Sequence, residues 1–409
     1  MRPVAGAESF RLMIVAGEPS GDAHAASLVR ALRERAPETT FEFFGGAQGL
    51  MRGAGVEPVV DTDELSITGL VEIASALPKF RRAYRQLKRA GLRRRPDAVV
   101  LVDFPDFNLR LARAFHARGL KVIYYVSPQL WAWRGYRVRQ VRRDVDLLLA
   151  LLPFEPAWYA ARGVSHVEFV GHPLGVEVSR LDNRAEFCRA HDLDPAREIV
   201  ALLPGSRRKE LERILPPMLE AAKLLARSRA GAQFVVALAP TREPREAGQI
   251  ISDVFNPAAA REVSLRVVRG ETREALSAAD AAAVASGTAT LEAALTETPL
   301  VVVYKESGIN WHVLGSLISV EHYGLVNLVA GERVAAELMQ YDFTPGALAR
   351  ELDALLDPER NARARGRLRA AAAPLREARA SDRAADATLR ALREWRGVGE
   401  VKSPPGGEF

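Results

Sequence analysis

The stretch Asp97-Ala98-Val99-Val100-Leu101-Val102-Asp103-Phe104-Pro105-Asp106-Phe107-Asn108 decides how this chain is built. Ala98 to Val102 run without polar alternation, the pattern of a strand buried on both faces, as in a parallel sheet. Pro105 has no N–H to give to a ladder, so the strand ends near Asp103. Open α/β sheets place ligands just beyond the carboxyl ends of their strands. Asp103 therefore stands where chemistry is done, although a carboxylate at a strand end also serves to tie down a turn. Asn108 reads as the cap of the helix that follows.

Working outward, the same grammar repeats. Leu12–Ala16 is a buried strand, followed by the turn Gly17-Glu18-Pro19-Ser20-Gly21-Asp22 and a helical pattern from Ala23 to about Arg35. Strand, glycine turn and helix open a nucleotide-binding-like α/β unit. Glu18 and Pro19 interrupt any G-x-G-x-x-G, and a carboxylate disfavours a pyrophosphate there. Glu18, Ser20 and Asp22 suit a hydroxyl-rich ligand such as a sugar, and Ser20 or Asp22 can also cap the helix. Further strands are expected at Phe41–Phe44, Val56–Val60, Leu120–Tyr125, Leu147–Leu152 and Val167–Val170. Trp131 and Trp133, in the turn after the Leu120 strand, either pack on a neighbouring loop or line a cleft.

Periodicity lapses around Leu174–Asp182, which suits a linker, and a second α/β series begins at Ile199–Leu203. Pro204-Gly205-Ser206-Arg207-Arg208-Lys209-Glu210 then opens a long helix. A helix N-terminus with a glycine and arginines is the strongest anion site in the chain, through backbone N–H groups and the macrodipole. It lacks Walker A spacing. Strands follow at Phe234–Leu238, Val263–Val268, Ala281–Val284 and Leu300–Val303. Ser286-Gly287-Thr288 forms a second glycine and hydroxyl turn for a phosphate, and Glu292 is placed to accept two vicinal ribose hydroxyls. Asn327 reads as a loop residue before a helix around Glu332–Gln340. Pro358–Trp395 reads as helical, and residues 397–409 as a disordered tail.

Composition narrows the class. A chain of 409 residues with 48% hydrophobic and 26% charged residues reads as globular, with two or three domains. A net charge of +6 predicts anionic partners. Cys188 is the only cysteine, which excludes an intrachain disulfide and a cysteine-based zinc site and fits a reducing cytoplasm. No signal peptide or spanning helix is expected. An apolar segment, Leu65 to Pro78, precedes a helix carrying Lys79, Arg81, Arg82, Arg85, Lys88 and Arg89, as a membrane-surface element would. Asp61-Thr62-Asp63 and Asp144-Val145-Asp146 match a D-x-D metal pattern by chance expectation; both read as surface residues, with no metal. The arginines lack a nucleic-acid motif or aromatic platform, so no nucleic acid is expected.

Seven motifs, in order from residue 11 to 345, carry a resemblance: Val15–Asp22, Val102–Asn108, Tyr125–Arg134, Leu152–Glu155, Phe169–Pro173, Leu203–Arg207 and Ala285–Ala289. Together they resemble the lipid-A-disaccharide synthase family. The resemblance implies a GT-B glycosyltransferase, an α/β protein of two Rossmann-like domains whose parallel sheets face an interdomain cleft. It implies residues 1–178 as an acceptor-binding, membrane-facing domain and 179–396 as a UDP-sugar domain. The implied reaction joins UDP-2,3-diacylglucosamine to 2,3-diacylglucosamine 1-phosphate with inversion, without cofactor or metal, at the inner face of the cytoplasmic membrane. Asp103 would be the general base; Glu18, Ser20 and Asp22 would line the acceptor side. Arg207, Ser286, Gly287, Thr288, Glu292 and Asn327 would hold UDP. The oligomeric state is left open, a homodimer included. The alternatives are a soluble sugar-nucleotide epimerase, another GT-B transferase, or a non-catalytic nucleotide- or nucleic-acid-binding protein.

Overall fold

The apolar runs become the strands of two sheets, each entirely parallel. The computed structural model describes residues 8–63, 72–182, 184–255, 263–307, 321–377 and 379–397. The first sheet comprises β1 (Ser9–Ala16), β2 (Thr40–Ala47), β3 (Glu57–Asp61), β4 (Ala98–Val102), β5 (Val122–Tyr125), β6 (Leu147–Ala150) and β7 (Val167–Phe169). Their order is β3-β2-β1-β4-β5-β6-β7. The second comprises β8 (Ile199–Leu203), β9 (Gln233–Leu238), β10 (Ser264–Arg269), β11 (Ala281–Ala285), β12 (Leu300–Tyr304) and β13 (Ala336–Met339). Their order is β10-β9-β8-β11-β12-β13.

Each order reverses direction once, between β1 and β4 in the first sheet and between β8 and β11 in the second. At such a switch point the two helical connections leave to opposite faces, and the carboxyl ends of the strands open a crevice that α/β proteins use for ligands. Ala16 pairs with Val102 at the end of β1 and β4, so the turns beginning at Gly17 and Asp103 are neighbours by construction.

The strands alternate between two cores, as the period of two requires. Leu12, Ile14, Val100 and Val102 face one core, and Met13, Val15, Val99 and Leu101 the other. The second core is closed by the helices Glu72–Arg94 and Pro105–His116 through Ala83, Leu87, Leu111 and Phe115. The first core is closed by the helix Pro19–Arg35 and by the last described helix, Ala380–Trp395, through Ala384, Leu389 and Leu392. In the second sheet, Val200, Leu202, Phe234 and Val236 pack against Ile214, Leu215 and Met218 of the helix Arg208–Ser228.

Two expectations change here. The chain divides into one unit of residues 1–173 with 378–409, and another of 174–377. The second half read from sequence therefore begins earlier than residue 179 and gives up its last helix, whose apolar face completes the core around β1. The segment Ala336–Met339 is a strand paired in parallel with β12, not part of a helix over 332–340. Ala, Glu, Leu and Met are strong helix formers, and sheet pairing overrides that preference. The expected tail beyond Gly397 lies outside the described residues.

Candidate active site

At the first switch point the chain leaves β4 under strain. Asp103 and Phe104 both adopt left-handed backbone, at φ 50 and 51, where a residue with a Cβ loses about 1–2 kcal/mol. Strain of this kind persists where surrounding contacts over-determine it, and it concentrates at functional sites. Asp103 N–H donates to the Tyr125 carbonyl at 2.9 Å. The Asp103 carbonyl accepts from the Tyr124 hydroxyl at 2.7 Å and from Asn108 Nδ2 at 2.8 Å. Asn108 also donates to the Val102 carbonyl at 3.1 Å. It therefore lies buried in the helix and ties down the strand end, instead of capping the helix from outside. The Phe104 ring packs so closely over the turn after β1 that a Cβ on Gly17 would lie 2.3 Å from it.

With the backbone fixed, the Asp103 side chain is half-buried. Burial, and secondarily the charge of Glu18, push its carboxyl up from the ordinary value. A carboxylate raised in this way is a better proton acceptor at neutral pH than a solvated one. Glu18 and Ser20 are exposed at the start of the helix Pro19–Arg35. Asp22 is not available as they are. It is 2% exposed, and its carboxylate accepts from the backbone N–H groups of Gln48, Leu50 and Met51 at 3.0, 2.8 and 3.3 Å. It caps a different helix, Gly49–Gly53, and carries the turn after β2.

At the second switch point the turns after β8 and β11 border a cavity of about 610 Å³ that includes Arg207, Ser286, Gly287, Thr288 and Glu292. The helix N-terminus at Arg207 is already occupied by a carboxylate. Glu210 Oε2 accepts from the N–H groups of Ser206 and Arg207, each at 3.1 Å. Glu210 thus reaches back as the N3 member of a capping box does, and the attraction for an external anion rests on the Arg207 guanidinium, 83% exposed and itself 3.1 Å from Glu210 Oε1. Ser286 Oγ donates to the Tyr323 carbonyl at 2.8 Å. Glu292 faces Arg273 at 3.4 Å; burial pushes its carboxyl up, and Arg273 opposes the shift.

Asn327 is not brought to this cavity. It lies fully buried in the short helix Leu325–Ala330, not in a loop. Its Nδ2 donates to the Ala335 carbonyl and Glu337 Oε1, and its Oδ1 accepts from the N–H groups of Val334 and Ala335. An amide has two donors and two acceptor lone pairs, so every one is spent on holding the approach to β13.

The remaining motifs resolve by their partners. Asp61 and Asp63 both pair with Arg52. Asp144 is buried against Arg143, and Asp146 takes Lys121 and His116, so this second D-x-D is not a surface pair. Trp131 is buried and donates to Glu155 at 3.2 Å; burial pushes the Glu155 carboxyl up to about 7. Trp133 is left exposed. Sequence reasoning missed Tyr124 and Arg273, and a hydroxyl at the end of the apolar run beside β4 was the signal for the first. The basic helix forms as Glu72–Arg94 with Lys79, Arg81, Arg82 and Arg85 exposed, while Leu65–Val71 lies outside the described residues. Among the described residues no helix is long and apolar enough to cross a membrane.

Comparison with known proteins gives a consistent set of likenesses. A family model described as Lipid-A-disaccharide synthetase matches residues 12–388. A curated lipid-A-disaccharide synthase of Myxococcus xanthus is 44% identical over 342 residues, 84% of this chain and 87% of that one. That of Anaeromyxobacter dehalogenans is 42% identical over 388 residues, 95% and 97% of the two chains. Among solved structures, MurG of Acinetobacter baumannii superposes with TM-score 0.54 at 15% identity over 94% of this chain and 99% of its own. The UDP-GlcNAc 2-epimerase of Neisseria meningitidis, bound to UDP-GlcNAc, gives 0.59 at 11% over 93% and 100%. At such identities the structural likeness speaks for the fold alone.

Proposed function

Because the chain belongs to the lipid-A-disaccharide synthase family, a glycosyltransferase family of GT-B fold acting on a sugar nucleotide and a sugar phosphate, we propose that the two switch points divide its reaction between them. The tip of β4 activates the acceptor, and the cavity beyond β8 and β11 takes the donor. The observation that carries this division is the half-buried, up-shifted Asp103 beside Glu18 at the junction of β1 and β4.

In the proposed reaction, the acceptor hydroxyl of 2,3-diacylglucosamine 1-phosphate gives its proton to the Asp103 carboxylate as its oxygen attacks the anomeric carbon of UDP-2,3-diacylglucosamine. The bond from that carbon to the UDP oxygen breaks with inversion, and UDP leaves carrying the electron pair. A positioned base contributes typically about 10²- to 10⁴-fold. Arg207 and the turn Ser286–Thr288 face the charge that develops on the departing diphosphate, and Glu292 accepts the ribose hydroxyls. Glu18 and Ser20 line the acceptor side, with Asp22 as the buried support of that turn. In this reading the enzyme works at the inner face of the cytoplasmic membrane, and the exposed Lys79, Arg81, Arg82 and Arg85 of the helix Glu72–Arg94 support it, since each basic residue near an anionic leaflet contributes about 1 kcal/mol.

Incubation with the two acylated sugars tests the proposal. Release of UDP with formation of an acylated disaccharide 1-phosphate, seen by mass spectrometry, is the expected result. UDP release without a disaccharide, or no reaction, refutes it.

A further inference from the structure

Two arginines in the turn after β5 have no part in the reaction as described above. Arg134 adopts left-handed backbone at φ 56, with its guanidinium carbon 4.1 Å from the centre of the Trp133 ring. Arg137 follows on the single 3-10 turn Gly135–Arg137. Both guanidiniums converge on one carboxylate. Arg134 Nη1 lies 3.0 and 3.2 Å from the two Asp106 oxygens, and Arg137 Nη2 lies 2.5 Å from Oδ1. Two cations on one carboxylate leave a local excess of positive charge, and the Asp106 side chain is 62% exposed, so solvent reaches the cluster.

The cluster lies beside the catalytic candidate. Trp131, in the same turn, is buried and anchored on Glu155, while the Arg134 guanidinium lies over the Trp133 ring. Asp106 sits on the first turn of the helix Pro105–His116, just past Asp103 and Phe104. The Tyr124 hydroxyl, which donates to the Asp103 carbonyl, lies within electrostatic reach of Asp103, Asp106 and Arg137 together. Around the cluster the surface is aromatic: Trp133 is 45% and Tyr136 68% exposed.

We infer that Arg134 and Arg137 form the subsite for the phosphate of the sugar-phosphate acceptor, with Asp106 occupying the two guanidiniums until that phosphate displaces it. The inference rests on the proposed assignment of the acceptor to the first unit. A phosphate dianion offers more charge and more acceptor oxygens than a carboxylate, and guanidinium forks match it in two-point hydrogen bonds. The sugar ring then spans from its phosphate at the arginines to its reacting hydroxyl at Asp103, with Trp133 beside its apolar face.

Steady-state kinetics with 2,3-diacylglucosamine 1-phosphate, and with the same sugar lacking the phosphate, test the inference. In Arg134→Ala the KM for the phosphorylated acceptor is expected to rise about 10- to 100-fold, the loss of a charge-assisted contact. The donor KM and the rate with the phosphate-free sugar stay as in the wild type. Asp106→Asn is expected to act in the opposite direction, lowering the KM for the phosphorylated acceptor several-fold by releasing both guanidiniums. An unchanged preference for the phosphate in a folded Arg134→Ala overturns the inference. So does an unchanged or higher acceptor KM in Asp106→Asn, whatever the stability of the arginine variant. Absence of disaccharide from the wild type itself would instead refute the reading on which the inference rests.

Discussion

The tip of β4 and the tips of β8 and β11 solve the same topological problem with opposite materials. Beyond β4 the chain turns on Asp103 and Phe104, residues with side chains forced into left-handed backbone and pinned by Tyr124 and Asn108. Beyond β8 and β11 the turns fall on Gly205 at φ 106 and Gly287 at φ 154, backbone that glycine adopts at little cost. The strained turn holds one carboxylate in a defined place, half-buried and with its pKa pushed up by burial. The glycine turns leave a cavity open to hydroxyls and an exposed arginine. A group that must move a proton needs a fixed environment, whereas a pocket for a diphosphate needs room and donors.

Substitution at the β4 tip tests that contrast most severely. Asp103→Asn is expected to lower kcat about 10³-fold, within the usual contribution of a positioned base, while UDP affinity measured by calorimetry stays unchanged. A fall in UDP affinity at retained turnover would erase the distinction between the two tips. The same variant carries a stability signature. Asp103 has a higher pKa folded than unfolded, so the folded chain binds the proton more tightly and loses stability as pH rises from the unfolded to the folded pKa. Removing the charge is therefore expected to raise the melting temperature at neutral pH, with the gain vanishing in acid below both pKa values.

Asn327→Ala comes next. Four hydrogen bonds end on this amide, and the backbone groups of Val334 and Ala335 that it leaves behind are buried. The expected loss is about 2–4 kcal/mol of stability, read by urea denaturation. Full stability with lost UDP binding would move Asn327 back among the ligand contacts. Arg207→Ala is expected to raise the donor KM about 10- to 100-fold with little change in acceptor KM; an unchanged donor KM would leave the second tip without its cation. The smallest effect is expected from Glu18→Gln. Turnover needs the ionised form of Asp103, and the Glu18 charge favours the protonated form instead. Its removal should shift the acid limb of the kcat/KM profile to lower pH. A limb that stays in place would show that burial alone sets the titration.

What could be read from the chain beforehand followed from locality. β4, β8 and β11 are uninterrupted apolar runs, and each announces itself without reference to any neighbour. Their sheet order is a property of the assembled fold, so the switch points that bring Gly17 beside Asp103 were beyond a one-dimensional pattern. Asp22 looked like a ligand for the acceptor or a cap for its own helix, but its partners, Gln48, Leu50 and Met51, are the cap and first turn of another. Asn327 looked like a loop ligand because nothing adjacent signals the strand it supports. Asp106 and Arg134 are 28 positions apart and meet only through the pairing of β4 with β5.

The helix Ala380–Trp395 gives the molecule an order of assembly. Leu389 and Leu392 fill the same core as Leu28 and Leu32, so a ribosome delivers the final piece of the first unit only after the whole of the second has emerged. The second unit is in effect a long insertion, free to fold while its host still waits with an apolar flank uncovered. Dividing the gene at the linker would leave the amino-terminal fragment with that flank bare and prone to aggregate, whereas fusing residues 379–397 to it would restore the missing wall.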